Sequence, residues 1–395
     1  MLSFELLLLS GAILVLATLP LLAELLVLTL AALLPEARLR DREAGFELPA
    51  LSILVPAHNE EGLIGRCVRG VVASAGPGTE VLVVAHNCTD ATAAVAQAAG
   101  ARVLVLDDPG QTGKGCALSY GFSAILAGTS QAVLVIDADS VVDPGLVSAV
   151  RQRFLLGARA LQCRYEVYNS QDSRRTKLMT LAFYAVNVIR PRGRARLGLS
   201  AGILGNGFAL HRDVLMRIPY GAHSIVEDLE YHLALVRAGI RVEFVDTVAV
   251  RGEMPVTAKG ARAQRARWEG GRLRMMRRWA PELMADVARG RVRLLEPLLD
   301  LLALPIASEA VLLLLAALLP FPWHRPYALL AYAVLVLHIS AAAVRGPGIW
   351  GTMKALSTAP AYILWKLWTV PEIWRTSRAN AAWVRTERES PAIGQ

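Results

Sequence analysis

The chain has 395 residues, 54% of them hydrophobic, with 42 Lys and Arg against 33 Asp and Glu, a net charge of +9. That length allows about two or three structural units. The apolar fraction excludes disorder as the main state and asks for membrane segments. Lys supplies only five of the basic residues (Lys114, Lys177, Lys259, Lys354 and Lys366), so the charge is almost entirely Arg. The bland reading of that bias is a GC-rich genome; the functional one is an attraction for phosphates, lipid headgroups or nucleic acid. Cys67, Cys88, Cys116 and Cys163 show neither CxxC spacing nor a paired pattern. They argue against a disulfide framework and a zinc site, and suit a reducing cytosol.

Residues 6–34 form an apolar run broken only by Ser10, Thr18, Pro20, Glu24 and Thr29. At about 1.5 Å per residue the run is long enough to cross a bilayer core of about 30 Å. It has no positive n-region and no A-x-A cleavage site, so it reads as a retained helix, not a removed signal peptide. Pro20 predicts a kink. Glu24 is costly at that depth and is expected near the interface or against a partner group.

From residue 51 to about residue 246 the pattern changes. Short β-branched runs at 51–55, 81–84, 102–106 and 132–136 read as strands, and Ala-rich stretches at 63–73, 91–99 and 115–126 read as helices. This alternation predicts an α/β domain with a mostly parallel sheet and helices on both faces. Such sheets bind ligands beyond the C-terminal ends of their strands. Chemistry-bearing residues follow each strand: Pro56, His58, Asn59 and Glu60; then His86, Asn87 and Asp90; then a Gly-rich turn with Lys114; then Asp137 and Asp139.

Asp137 and Asp139, one residue apart at a strand end, can share a divalent cation and a diphosphate; oxygen ligands of this kind suit Mg²⁺ or Mn²⁺. The bland alternative is a solvated acidic turn. Lys114 between Gly113 and Gly115 lacks the spacing of a GxxxxGK[ST] loop, which leaves a Lys reaching a nucleotide phosphate, or a surface Lys in a flexible turn. Glu227 and Asp228 fall at a loop-to-helix junction. A carboxylate there can act as general base on an acceptor hydroxyl, or simply favour the helix dipole. His223 and His232 flank the pair and read as structural or solvated. Gly205 and Asn206 belong to a tight loop that would let a substrate approach the backbone. The Arg-rich stretch 190–196 reads as a solvated or membrane-apposed loop.

Gln264, Arg267 and Trp268 lie on a helix expected to continue to Arg278. Arg267 can pair with phosphate as a fork, and Trp268 can stack on a sugar face. Arg272, Arg274, Arg277 and Arg278 look lipid-facing. Apolar runs at 294–319 and 327–344, joined by a Pro- and Trp-containing turn, read as a transmembrane hairpin. Basic residues follow the first span (Arg38, Arg40, Arg42), precede the second (Arg289, Arg291, Arg293) and follow the third (Arg345, Lys354, Lys366). The positive-inside rule therefore puts the middle region and the C-terminus in the cytoplasm. The Trp-rich stretch 350–374 reads as an interfacial amphipathic helix.

The ordered motifs P-x-x-N-E, N-C-T-D, G-K-G, D-x-D, E-D and Q-x-x-R-W resemble those of the membrane-bound family 2 inverting glycosyltransferases with a GT-A fold, the group that includes cellulose, hyaluronan and chitin synthases. The resemblance spans residues 51–279 and implies roles. Pro56, His58 and Glu60 would lie by the base and ribose, and Lys114 would approach the phosphates. Asp137 and Asp139 would hold the UDP moiety and the metal, Mg²⁺ or Mn²⁺. Asp228 would be the general base. Gln264, Arg267 and Trp268 would bind the diphosphate and cover the acceptor end, beside Gly205, Asn206 and Glu227. The chain departs from the family where an Asp-Asp pair is replaced by Ala85 and His86, the next acid being Asp90, and where the P-x-Y-N-E tyrosine is His58.

The resulting expectation is an enzyme of the bacterial inner membrane with a cytoplasmic catalytic domain. Its partners would be a UDP-sugar, a polysaccharide or lipid-linked acceptor, membrane lipids and polysaccharide export proteins; nucleic acid is not expected. Expected boundaries are 1–36 for the first span, 48–270 for the catalytic domain and 271–293 for an amphipathic interface helix. The hairpin would occupy 294–345, and an interfacial helix with its tail 346–395. An inactive scaffold of an assembly complex and a nucleotidyltransferase remain as other classes.

Overall fold

The computed structural model describes residues 2–35, 49–222 and 224–378. Arg38, Arg40, Arg42, His223 and the tail from residue 379 lie outside these. Helix α1 (Leu2–Leu33) runs on through Pro20. The alternating segment follows as β1 (Leu51–Ala57), α2 (Ile64–Ala75), β2 (Thr79–His86), α3 (Thr92–Ala98), β3 (Arg102–Leu106), α4 (Lys114–Leu126) and β4 (Ala132–Val135). Next come β5 (Val141–Val142), α5 (Leu146–Leu155), β6 (Ala160–Val167), α6 (Arg174–Phe183), a π-helical turn (Tyr184–Ile189) and α7 (Arg190–Arg196). After these come β7 (Phe208–His211), α8 (Arg212–Arg217), α9 (Glu227–Arg237) and β8 (Val242–Gly252). The remaining described elements are helical: α10 (Ala258–Ala288), α11 (Leu295–Leu302), α12 (Ile306–Leu318), α13 (His324–Arg345), α14 (Ile349–Leu356) and α15 (Ala359–Thr376).

The eight strands form one mixed sheet in the order β3-β2-β1-β4-β7-β6-β8-β5. β1 is parallel to β2 and to β4, and β2 to β3, whereas β7 runs antiparallel to both β4 and β6. All seven residues of β1 are buried, as expected of a strand covered on both faces. Strand alternation divides its side chains: Ile53 and Val55 join one core with Val68 and Leu134, and Leu54 joins the other with Leu118 and Phe122. The chain winds outward from β1 to β3, then returns to place β4 on the other side of β1. A crevice opens beyond the C-terminal strand ends where such an order reverses. Residues after β1 and after β4 flank it.

The helical part corrects four expectations. The stretch 190–196 is a buried helix, not a loop: Arg190 and Arg194 are nearly inaccessible, and carboxylates from other helices surround them. The second apolar run is not one straight span, because its two helices meet at 82° across a break that contains Pro305. No helix begins at 271; α10 runs unbroken through that position to Ala288. The stretch 350–374 forms two helices, and neither is long and apolar enough to cross a membrane. The helices Glu5–Leu33 and His324–Arg345 are, and the bent pair would make a third crossing. Leu22, Leu25, Leu313, Val334 and Leu335 pack α1, α12 and α13 together.

Candidate active site

The loops after β1, β2 and β4, the turn before α4, the loop before β7 and the starts of α9 and α10 enclose one cavity of about 960 Å³. Two asparagines shape its first wall. Asn59 and Asn87 have left-handed backbones (φ of 54° and 49°), a conformation that Asn tolerates better than most residues. Asn59 Oδ1 accepts from the Thr89 amide at 2.7 Å, and Asn87 Oδ1 from the Asp108 amide at 2.7 Å. The loops after β1, β2 and β3 are thereby tied to one another. His58 donates through Nδ1 to the His86 carbonyl at 2.7 Å, and His86 donates through Nε2 to the Gln111 carbonyl at 3.0 Å. Burial lowers the pKa of His86.

Lys114, at the start of α4, donates to Asp137 and to the Gly205 carbonyl, and its Nζ lies 4.0 Å from Glu227. Burial pulls its ammonium down, but Asp137, Glu227 and Asp228 outweigh that and hold it above its usual value. Burial, reinforced by Asp228 and opposed by Lys114, raises the Glu227 carboxyl to about 7. Asp228 is also raised, chiefly by burial, with the Leu229 amide and Lys114 opposing. Gly205 is required here: its φ is +80°, and a Cβ would come within 2.9 Å of Asp228 Oδ2.

Of the residues singled out from the sequence, Pro56, His58, Glu60, His86, Lys114, Asp137, Asp139, Gly205, Glu227, Asp228, Gln264, Arg267 and Trp268 all line this cavity. Two do not. Asp90 instead closes the turn that leads into α3, accepting from the Thr92 amide at 3.0 Å and the Glu61 amide at 3.2 Å. Asn206 is fully buried behind the site; its Oδ1 accepts from the Asp137 amide at 3.1 Å, and its Nδ2 donates to Ser140 at 2.8 Å. It therefore holds the backbone at Asp137 from within the core. His232 is buried against Ser200 at 3.0 Å, and burial lowers it to about 4.

Sequence reasoning missed the deeper wall. Tyr165, Met179, Phe183, Asn187 and Asp300 line it, with Arg190 and Arg194, expected in a solvated loop, and Arg272, expected to face lipid. Tyr165, Phe183 and Trp268 form an aromatic series with centroids 5.3 and 5.9 Å apart. The π-helical turn that carries Asn187 is a local irregularity of a kind frequent at functional sites, but no single residue type announces it.

Among the described residues no three His, Cys, Asp or Glu side chains cluster as a complete metal site. The donor set is two carboxylates, Asp137 and Asp139, at one strand end. An all-oxygen pair fits Mg²⁺ or Mn²⁺ when phosphate oxygens and water complete the shell.

The mixed sheet, with a D-x-D just beyond the end of β4 and Asp228 lining the same cavity, has the architecture of the GT-A fold. A family model described as "Glycosyltransferase like family 2" matches residues 49–271, and the chain belongs to that family. It is similar to a probable glycosyltransferase, YdaM, of Bacillus subtilis (strain 168), 26% identical over 245 residues. The match covers 58% of this chain and 57% of that protein, so the chain spans just over half of its relative's length. An uncharacterized glycosyltransferase of Mycobacterium bovis, Mb0553, is 40% identical over 96 residues, covering 24% of this chain and 39% of that protein. Among solved structures, the mannosyltransferase PcManGT of Pyrobaculum calidifontis, in complex with GDP-Man and Mn²⁺, aligns over 90% of this chain and 99% of its own. The TM-score is 0.53 and the identity 19%, a likeness of fold.

Proposed function

We propose that the protein is an inverting glycosyltransferase. It moves a sugar from a UDP-sugar to a polysaccharide or lipid-linked acceptor at the cytosolic membrane face, in exopolysaccharide or cell-envelope glycan synthesis. The observation that carries this reading is the convergence of Asp137, Asp139, Asp228, Gln264, Arg267 and Trp268 on one cavity. Lys114 and Arg267 would hold the donor diphosphate, with Asp137 and Asp139 holding Mg²⁺ or Mn²⁺, which when bound neutralises phosphate charge. Asp228 would take the acceptor proton as the acceptor oxygen bonds to the sugar carbon and the bond to the diphosphate breaks on the opposite face. Burial raises its pKa above the ordinary Asp value, which strengthens it as a proton acceptor. Trp268, beside Phe183, would cover the acceptor sugar. The Arg and Lys residues that flank the apolar helices favour a cytosolic catalytic domain.

The test measures nucleotide release from purified protein in detergent, across UDP-sugars and GDP-mannose, with Mg²⁺ or Mn²⁺. Turnover with one UDP-sugar, lost on chelation and in both Asp139→Ala and Asp228→Asn, is expected. Turnover confined to GDP-mannose would overturn the UDP assignment. Pyrophosphate release would make the enzyme a nucleotidyltransferase. Nucleotide binding without turnover under any donor and acceptor would favour the inactive scaffold.

A further inference from the structure

The cavity does not stop at the acceptor end. Its lining also includes Arg190, Arg194, Arg272 and Asp300, taken together here as its floor. Two of these arginines pair with carboxylates inside the protein, although the Nε of Arg190 is left over. Arg190 Nη2 lies 2.9 Å from Glu24 and 3.0 Å from Asp300, and Arg194 pairs with Glu296 and reaches Asp300 at 2.6 Å. Arg272 is different. Its Nε and Nη2 are buried without a hydrogen-bond partner. The carboxylate oxygen it faces, Asp300 Oδ1, is 3.8 Å away and already engaged by the other two. The side chain keeps 28% of its surface accessible while those two donors stay shielded; unpaired shielded donors are costly unless a ligand completes them, and the planar fork matches phosphate geometry.

The wall beside this floor is apolar: Met179, Ala182, Phe183 and Val186, from α6 and the π-helical turn. The same segment packs Leu181, Ala185 and Ile189 onto Ala32 of α1 and onto Ala341 and Ala342 of α13. Among the described residues, both are helices long and apolar enough to cross a membrane. Asp228, unused phosphate donors and an apolar wall leading toward candidate spans thus meet in one cavity.

Building on the transferase reading, we propose that the acceptor is a membrane amphiphile with a phosphate next to its acceptor hydroxyl. Arg272 binds that phosphate, the hydrocarbon chain lies along Met179, Phe183 and Val186, and the hydroxyl faces Asp228. In the transfer step the acceptor oxygen bonds to the sugar carbon, the proton passes to Asp228, and the nucleoside diphosphate leaves with its electron pair.

The test uses the full chain in a neutral maltoside detergent, with phosphatidylglycerol, diacylglycerol and glycerol 3-phosphate as probes and native mass spectrometry as readout. Binding of UDP is measured on the same samples. Retention of phosphatidylglycerol at least tenfold above diacylglycerol is expected, with glycerol 3-phosphate not retained. Arg272→Met should reduce that preference to within about twofold and Arg272→Lys should keep part of it, with UDP affinity unchanged as proof of folding. Arg278→Met, on the outer face of α10, should keep the full preference. A preference that survives Arg272→Met, or equal retention of glycerol 3-phosphate, overturns the proposal. UDP binding that depends on Asp139 would then leave the transferase reading standing; absence of UDP binding would count against that reading instead.

Discussion

The strand-edge half of the cavity and its helical half are built differently. On the strand edge, Glu60, Lys114, Asp137 and Asp139 each follow a strand or turn by a few residues, so the backbone alone delivers them to one place. In the helical half, Glu24, Arg190, Arg194, Arg272, Glu296 and Asp300 come from α1, α7, α10 and α11, and ion pairs far apart in sequence assemble them. The first arrangement tolerates change around it but not at it. The second depends on every partner being present, because a buried charge left alone is costly.

Four outcomes would break or sharpen that contrast. Asp228→Asn should lower turnover by about 10²- to 10⁴-fold while donor affinity holds, since it removes only the base; steady-state kinetics beside donor titration checks this. Glu24→Leu should destabilise the helical half by about 3 kcal/mol, as it removes one partner of a buried cluster. Thermal unfolding in detergent should show that loss, with Glu24→Gln closer to the wild type. Gly205→Ala should cost about 1–3 kcal/mol of local strain at a positive φ and, by pushing on Asp228, should lower kcat more than it changes donor KM.

The smallest effect is the pH dependence. Glu227 is raised from 4.5 to about 7 in the folded protein, so folding favours its neutral form. That contribution is fully present below about pH 4.5 and is lost as pH rises through about 7. Unfolding of Glu227→Gln against the wild type should therefore shift in the variant's favour across that window. Activity runs the other way. Burial raises the Asp228 carboxyl beside Glu227, so kcat/KM should fall on the acid side as the base becomes protonated. A profile with no acid limb would remove Asp228 from that role.

Much of the fold was legible because its signals are local. The β-branched runs at 51–55, 81–84 and 102–106 lie inside the observed strands, and Q-x-x-R-W does sit on a long helix. Asp90 misled because an Asp after a strand serves equally well to close a turn on its own backbone, and the Thr92 amide two residues on was the nearer partner. Asn206 misled because a Gly-flanked polar residue looks exposed, whereas the strands on either side bury it. Arg190 and Arg194 misled most: a basic stretch reads as solvated unless its carboxylates are known, and those are more than a hundred residues away in either direction (Glu24, Glu296, Asp300).

By itself the sequence determined the alternating α/β segment, the apolar helices and the order of the site motifs. Period-2 and period-3.6 patterns and strand-end residues act over a few positions and need no tertiary information. Tertiary structure alone decided that Gly205 leaves room for Asp228, that the second apolar run bends, and that Arg272 enters the cavity with donors unused. Each of these depends on which distant groups share a small volume, and chain separation carries no record of that distance.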